Sequence, residues 1–247
     1  MLFRQLFDRE SCTYTYLVAD DSGPDASARV AALFDPVREH VARDLELLAE
    51  LGVRLTHIFE THVHADHITG AGELRKRTGA KSYVARDGGA PCADVPLVDG
   101  DVVRVGAIEV RVLATPGHTS DCLSFFLGDR VLTGDALFVR GCGRTDFQNG
   151  DSGALYDSVM QKLFTLPDAT LVYPGHDYRG MSVSTVGEEK RHNPRLGGGA
   201  TREAFIAKMA ALGLPPPARI AEALPANLAC GNVPVDGPAV LPATSAK

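Results

Sequence analysis

The hydrophobic positions of this chain fall into short runs that predict strands and helices following one another in alternation. Cys12 to Val18 is rich in β-branched and aromatic residues and reads as a strand. Arg29 to Phe34 is a second apolar run, closed by Asp35-Pro36. Val41, Leu45, Leu48 and Leu51 recur at helical spacing, predicting a helix over Val37 to Leu51 with Gly52 as its stop. Leu55 to Glu60 is a short strand that runs into a histidine-rich loop, and Ile68 to Thr78 reads as a helix.

Short strands dominate from Ser82 to Leu132. Asp101 to Val105 and Ile108 to Leu113 flank Gly106, and Leu123 to Leu127 and Val131 to Thr133 flank Gly128-Asp129, so both pairs read as hairpins. A helix follows over Ser152 to Phe164, a strand over Thr170 to Tyr173, and helices over Ser184 to Arg191 and Thr201 to Leu212. No internal repeat or low-complexity linker divides these elements. The pattern predicts an α/β sandwich of two mixed sheets flanked by helices. It is expected to form a single domain over 1–247, with the Pro-rich stretch 214–247 as a tail packed on its surface.

Composition bounds the chemistry. The 247 residues are 45% hydrophobic and 23% charged, near the averages for a folded globular chain. A net charge of -6 offers no general attraction to nucleic acid or to an anionic membrane. No window approaches the roughly 18 consecutive apolar residues of a membrane span. Met1 to Gln5 lacks the features of a secretory signal. Cys12, Cys92, Cys122, Cys142 and Cys230 are odd in number, widely spaced and free of any C-x-x-C, which predicts free thiols in a reducing, cytoplasmic compartment.

The candidate chemistry lies in four loops that each follow a β-rich run. They carry His62/His64/Asp66/His67, then Pro116-Gly117-His118-Thr119, Thr133-Gly134-Asp135 and Pro174-Gly175-His176. A loop at a strand end is anchored on one side and free to aim a side chain on the other. In extended backbone alternate side chains share a face, so His62 and His64 can address one metal and Asp66 and His67 a neighbouring point. The loop can therefore serve one metal or two. Imidazole and carboxylate suit zinc, iron or manganese, not a soft-metal thiolate site. His40, His57 and His192 stand alone and read as ordinary surface or core residues.

His62-Val63-His64-Ala65-Asp66-His67 resembles the H-x-H-x-D-H signature of the metallo-β-lactamase superfamily, with His118, Asp135 and His176 at its later ligand positions. The resemblance implies the αββα sandwich of two mixed β-sheets flanked by helices. A narrower likeness runs through Leu2 to Phe7, Ser11 to Tyr16, Thr61 to Gly70, Pro116 to Thr119 and Thr133 to Leu137. It continues through Arg140 to Gln148, His176-Asp177-Tyr178 and Asn193 to Leu196, and is similar to the persulfide dioxygenases, also called sulfur dioxygenases. The family includes the ethylmalonic encephalopathy protein. Arg140 to Gln148 is the most specific part of the match.

That likeness implies one non-haem Fe(II) per chain, with His62, His118 and Asp135 as a two-histidine, one-carboxylate ligand set. His64, Asp66, His67 and His176 would support it by hydrogen bonds. The implied reaction joins glutathione persulfide, O2 and water to give sulfite and glutathione, with no catalytic residue beyond the metal centre. Arg144, Arg195 and Tyr178 are the expected substrate contacts, since guanidinium binds carboxylate bidentately. Cys142 reads as a small buried residue first and a functional thiol second, and Cys230 invites the same caution. Candidate partners are a second copy of the chain and a separate rhodanese-type sulfurtransferase.

The rival reading is a glyoxalase II-like hydrolase, which would use the same histidines and aspartates around two metals. The Gly141 to Gln148 run argues against it. A metal-binding or sulfur-carrying protein without turnover fits the intact ligand set less well.

Overall fold

A computed structural model describes residues 1–25 and 28–232. Among these residues twelve strands form two six-stranded sheets. In the first, Leu2–Phe7 (β1), Tyr14–Asp20 (β2), Val30–Phe34 (β3), Arg54–Phe59 (β4), Lys81–Ala85 (β5) and Val95–Leu97 (β6) lie in sequence order. The pairs from β1 to β3 are antiparallel and those from β3 to β6 are parallel. The second holds Val102–Val105 (β7), Ile108–Ala114 (β8), Leu123–Phe126 (β9), Arg130–Gly134 (β10), Leu171–Pro174 (β11) and Ser184–Thr185 (β12). Only β10 and β11 pair in parallel there.

The period-two alternation of the strands builds the layers. Tyr16 and Val18 of β2 point into a core shared by both sheets, where they meet Phe34, Phe59, Phe125 and Leu132. Leu17 and Ala19, the residues between, face outward beneath helices Val41–Glu50 (α1) and Ala71–Thr78 (α2), with Leu48 and Leu74 closing that layer. On the far side Val131 and Val172 pack beneath Ser152–Ser158 (α3), Val186–His192 (α4) and Arg202–Ala210 (α5), through Leu155, Val186 and Phe205. The result is a helix–sheet–sheet–helix sandwich of mixed sheets, and both anticipated hairpins are present as β7–β8 and β9–β10.

Two expectations need correction. Residues after Leu214 are not merely a Pro-rich tail, because Ile220–Leu228 forms a helix (α6) despite carrying Pro225 inside it. Its Ala223 and Ala226 pack on Ile68, so tertiary burial outweighs local propensity. The part of the expected tail from 233 to 247 lies outside the described residues. The prediction of five free thiols also fails: Cys92 and Cys230 form a disulfide across 138 residues of sequence, while Cys12, Cys122 and Cys142 are free. A pair so distant is created by the fold, and spacing could not reveal it. The cysteine argument for a reducing compartment loses its premise. Among the described residues no helix is long and apolar enough to cross a membrane.

Candidate metal centre and the cleft above it

The four loops that follow β4, β8, β10 and β11 converge at one edge of the paired sheets. One nitrogen each from His62 and His118 and one oxygen from Asp135 lie within 4.8 Å of one another. His118 Nε2 is 3.4 Å from Asp135 Oδ2, and the rings of His62 and His118 meet edge to face at 4.9 Å. Asp135 is buried, and its Oδ1 accepts no hydrogen bond among the described residues, although His176 Nε2 lies 3.5 Å away. A buried carboxylate oxygen without a donor is costly unless a cation completes it.

Hydrogen bonds select the imidazole tautomers. His118 Nδ1–H donates to the Arg144 carbonyl at 2.6 Å, which turns Nε2 toward Asp135. His62 Nδ1 lies 3.0 Å from the Thr61 hydroxyl, which itself donates to Asp35 Oδ2 at 2.9 Å. The hydroxyl therefore accepts from His62, and His62 Nε2 is left free. Burial, reinforced by neighbouring histidines, holds His62 well below the usual imidazole range, so it is neutral and able to ligate.

Gly134 shapes this edge: at φ +48°, any Cβ there would sit 2.7 Å from the Cβ of Thr61. Only glycine lets the β10 loop approach the histidine loop this closely.

The remaining predicted residues form a second group. His64, Asp66 and His67 also bring ligand-type atoms within 4.8 Å. Asp66 Oδ2 accepts from the Thr13 hydroxyl at 2.9 Å and lies 3.0 Å from His67 Nδ1 and 3.8 Å from His176 Nε2. Burial pushes the Asp66 carboxyl up, yet His67 and His176 draw it well below the ordinary range. His64 turns its Nε2 to Asp35 Oδ1 at 3.1 Å and Glu60 Oε2 at 3.3 Å. Burial lowers His64, but these two carboxylates raise it well above an ordinary histidine.

Asp35 and Glu60 were missed in the sequence. Asp35 reads there as a strand terminator, and its φ of +50°, tolerated by aspartate, is the backbone turn that aims its carboxylate at Thr61 and His64.

A cleft of about 680 Å3 opens above the cluster, with His118, Asp135 and His176 in its floor. Five arginines line it: Arg140, Arg144, Arg179, Arg195 and Arg219. Three are committed to carboxylates. Arg140 pairs with Glu188 and Glu189, and Arg219 with Glu222 and Glu39. Arg144 forks onto Asp146 at 2.6 and 2.7 Å, donates to the Leu214 and Pro215 carbonyls and lies over the Phe147 ring.

Arg195 donates to the Cys142 carbonyl at 2.9 Å and to its sulfur at 3.7 Å, and among the described residues neither it nor Arg179 forms an ion pair. Arg179 was overlooked because the recognisable run stops at Tyr178. The exposed Tyr178 ring stacks on His176 with centroids 5.6 Å apart.

The long specific run is held from below by a buried polar knot. Glu189 accepts from the Arg140 amide and from Asn193, and Asn193 Nδ2 also donates to the Gly141 carbonyl. Asn193 Oδ1 accepts from the amides of Arg195 and Leu196. Gln148 closes the run against the metal loop through the Val63 carbonyl at 2.7 Å. Cys142 is buried beside Met209, and burial pushes its thiol up. Of the lone histidines, His40 pairs with Asp8 and His57 stacks on Tyr83.

The arrangement is that of a metallo-β-lactamase fold, and the family model described as metallo-beta-lactamase superfamily matches 21–176. The mitochondrial persulfide dioxygenases ETHE1 of Mus musculus and Homo sapiens are each 49% identical over 94% of this chain and 89% of their own length. A crystal structure of ETHE1 from Myxococcus xanthus is 59% identical, with a TM-score of 0.90 over 94% of this chain and all of that one. A hydroxyacylglutathione hydrolase of Rhodopseudomonas palustris is 37% identical over 82% of this chain and 76% of that protein. The chain belongs to the metallo-β-lactamase superfamily and, within it, to the persulfide dioxygenases of the ETHE1 type.

Proposed function

We propose that the chain oxidises glutathione persulfide with O2 and water to sulfite and glutathione, at a single Fe(II) held by His62, His118 and Asp135. The observation that carries the reading is likeness to persulfide dioxygenases along nearly the whole chain, with the two-histidine, one-carboxylate cluster in a buried floor. The donor set fits such an ion: two imidazoles, of which His62 is held neutral by burial, and a buried carboxylate whose Oδ1 accepts no hydrogen bond among the described residues. When bound, Fe(II) supplies the redox capacity for O2 and the coordination positions that three protein ligands leave open.

The protein's own contribution is positioning and charge. Thr61 and the Arg144 carbonyl fix the His62 and His118 rings, while Asp66, His67 and His176 hold one another in place beside them. Glutathione brings two carboxylates to the cleft, and Arg195 and Arg179 are the guanidiniums left to receive them. Arg144 acts by shaping the wall, because its fork is already engaged with Asp146. Tyr178 flanks the sulfur end through its stack on His176. Cys142 has a packing role in the apolar layer. A homodimer and a separate rhodanese-type sulfur donor belong to the same proposal, drawn from the family likeness.

The second reading, a two-metal hydrolase of glutathione thioesters, is favoured by the presence of every residue it would need and by the 37% identical hydrolase. Higher identity to the dioxygenases over more of the chain weighs against it. Metal analysis after anaerobic purification tests the choice: one iron per chain is expected, and two zincs with no iron would reject the iron site.

A further inference from the structure

We infer that Asn227, on the C-terminal helix α6, is a positioning residue that sets the backbone of the metal-site loop. The inference rests on the reading of His62, His118 and Asp135 as metal ligands. The loop from Glu60 to Gly70 is irregular, so its buried peptide groups must find partners outside regular structure.

One buried side chain supplies three of them. Asn227 Nδ2 donates to the carbonyls of His64 and His67, both at 2.8 Å, and its Oδ1 accepts from the Thr69 amide at 2.9 Å. Asn227 thus uses both of its donors and one acceptor on a single loop. An apolar residue could not replace any of the three.

Besides its packing on Ile68 of the loop, the helix is anchored outside it. Cys230 is tied to Cys92 by the disulfide, and Lys76 Nζ donates to Asn232 Oδ1 at 2.8 Å. There is no slack at the seam: a Cβ on Gly231 would lie 2.2 Å from the Thr69 carbonyl oxygen, and one on Gly72 would lie 2.5 Å from that of Cys230. The loop and the helix are therefore locked to each other, and the anchors outside the loop fix where both sit. Residue 64 is gripped twice, by Asn227 at its carbonyl and by Asp35 at its ring, and Val63 is held by Asp121 at its amide. His62, next in the chain, inherits that course.

The test compares the wild-type full chain with Asn227→Asp, which keeps the volume but presents an acceptor where two carbonyls need a donor, and with Asn227→Leu. Co(II) is titrated into metal-free protein against a chelator, its d–d absorption recorded, and the melting of metal-free protein followed in parallel. Both variants are expected to bind Co(II) about 10–100-fold more weakly, the range seen when groups supporting metal ligands are removed. Their d–d bands should shift, and after iron loading kcat should fall with KM little changed.

The double variant Cys92→Ser/Cys230→Ser leaves Asn227 in place and frees the end of the helix. It should weaken Co(II) binding in the same direction by a smaller factor. Wild-type affinity and spectrum in the Asn227 variants, with only the melting temperature lowered, would show a structural role alone and overturn the inference. If those variants do not fold, wild-type Co(II) affinity in the cysteine double variant overturns it. Failure of the wild-type chain to bind Co(II) would instead strike the ligand assignment beneath it.

Discussion

The Nδ1 nitrogen of His118 lies 2.6 Å from the carbonyl oxygen of Arg144, so the most specific run of the sequence reaches the metal floor through its backbone. Gly143 makes this contact possible. Its amide donates to the Asp135 carbonyl at 2.8 Å, and a Cβ there would lie 2.6 Å from that oxygen and 2.9 Å from His118 Nδ1. Gly143→Ala is expected to lower metal occupancy and to cut kcat by about 10-fold or more, since it displaces two ligands through their supports. Iron content and steady-state rates of the purified variant decide this; wild-type values for both would contradict it.

The arginines of the cleft should separate by what they already hold. Losing one charge-assisted hydrogen bond to a substrate carboxylate costs about 1.5–3 kcal/mol, or roughly 10–100-fold in KM. Arg195→Ala and Arg179→Ala are expected to raise KM for glutathione persulfide by this order while iron content stays unchanged. Arg144→Ala releases Asp146 and the Leu214 and Pro215 carbonyls, so it should also lower the melting temperature. Unchanged KM in both the Arg195 and Arg179 variants would remove them as carboxylate contacts.

Cys142 gives a contrasting expectation. Its thiol is buried against Met209 and raised by burial, so it should resist alkylation at neutral pH in the native protein. Cys142→Ala should keep most activity, and Cys142→Ser should lose about 1–3 kcal/mol of stability by placing a polar hydroxyl in an apolar layer. Urea unfolding and an activity assay on the two variants check both statements. Loss of turnover in a stable Cys142→Ala protein would restore a functional thiol.

Acid stability should carry a contribution from Asp8. Burial raises this carboxyl, but the Ser11 hydroxyl and amide and His40 outweigh it and bring it down to about 2 from 3.8. A depressed folded value means that the stabilisation is present above about pH 4 and is lost as pH falls toward 2. Solvent screening of this partly exposed network leaves about 1 kcal/mol of it. Asp8→Asn should therefore be less stable than wild type at pH 6, with the gap closing below pH 4. A gap that is constant from pH 6 to pH 3 would contradict this.

The sequence disclosed most where periodicity and side-chain chemistry were local. The hairpins β7–β8 and β9–β10, the helix α1 and the histidine loop after β4 were all legible in it. β1 was not, because its half-buried positions show no clean alternation at the sheet edge. Nor was α6, where Pro225 and the prolines at 215–217 argue against a helix that tertiary contacts, among them the packing of Ala223 and Ala226 on Ile68, sustain. Within the site, the ligand-type residues could be read because their chemistry is rare. Asp35, Glu60 and Asn227 could not, because common polar residues gain their roles only from what the fold brings beside them. The Cys92–Cys230 bond is the same case across 138 residues.

The most direct measurement follows O2 consumption and sulfite release together when glutathione persulfide is added to the iron-loaded protein, with S-lactoylglutathione hydrolysis assayed beside it. The proposed function predicts one O2 consumed and one sulfite formed for each glutathione persulfide, with no thioester hydrolysis. Hydrolysis of S-lactoylglutathione without O2 uptake on the persulfide would contradict it.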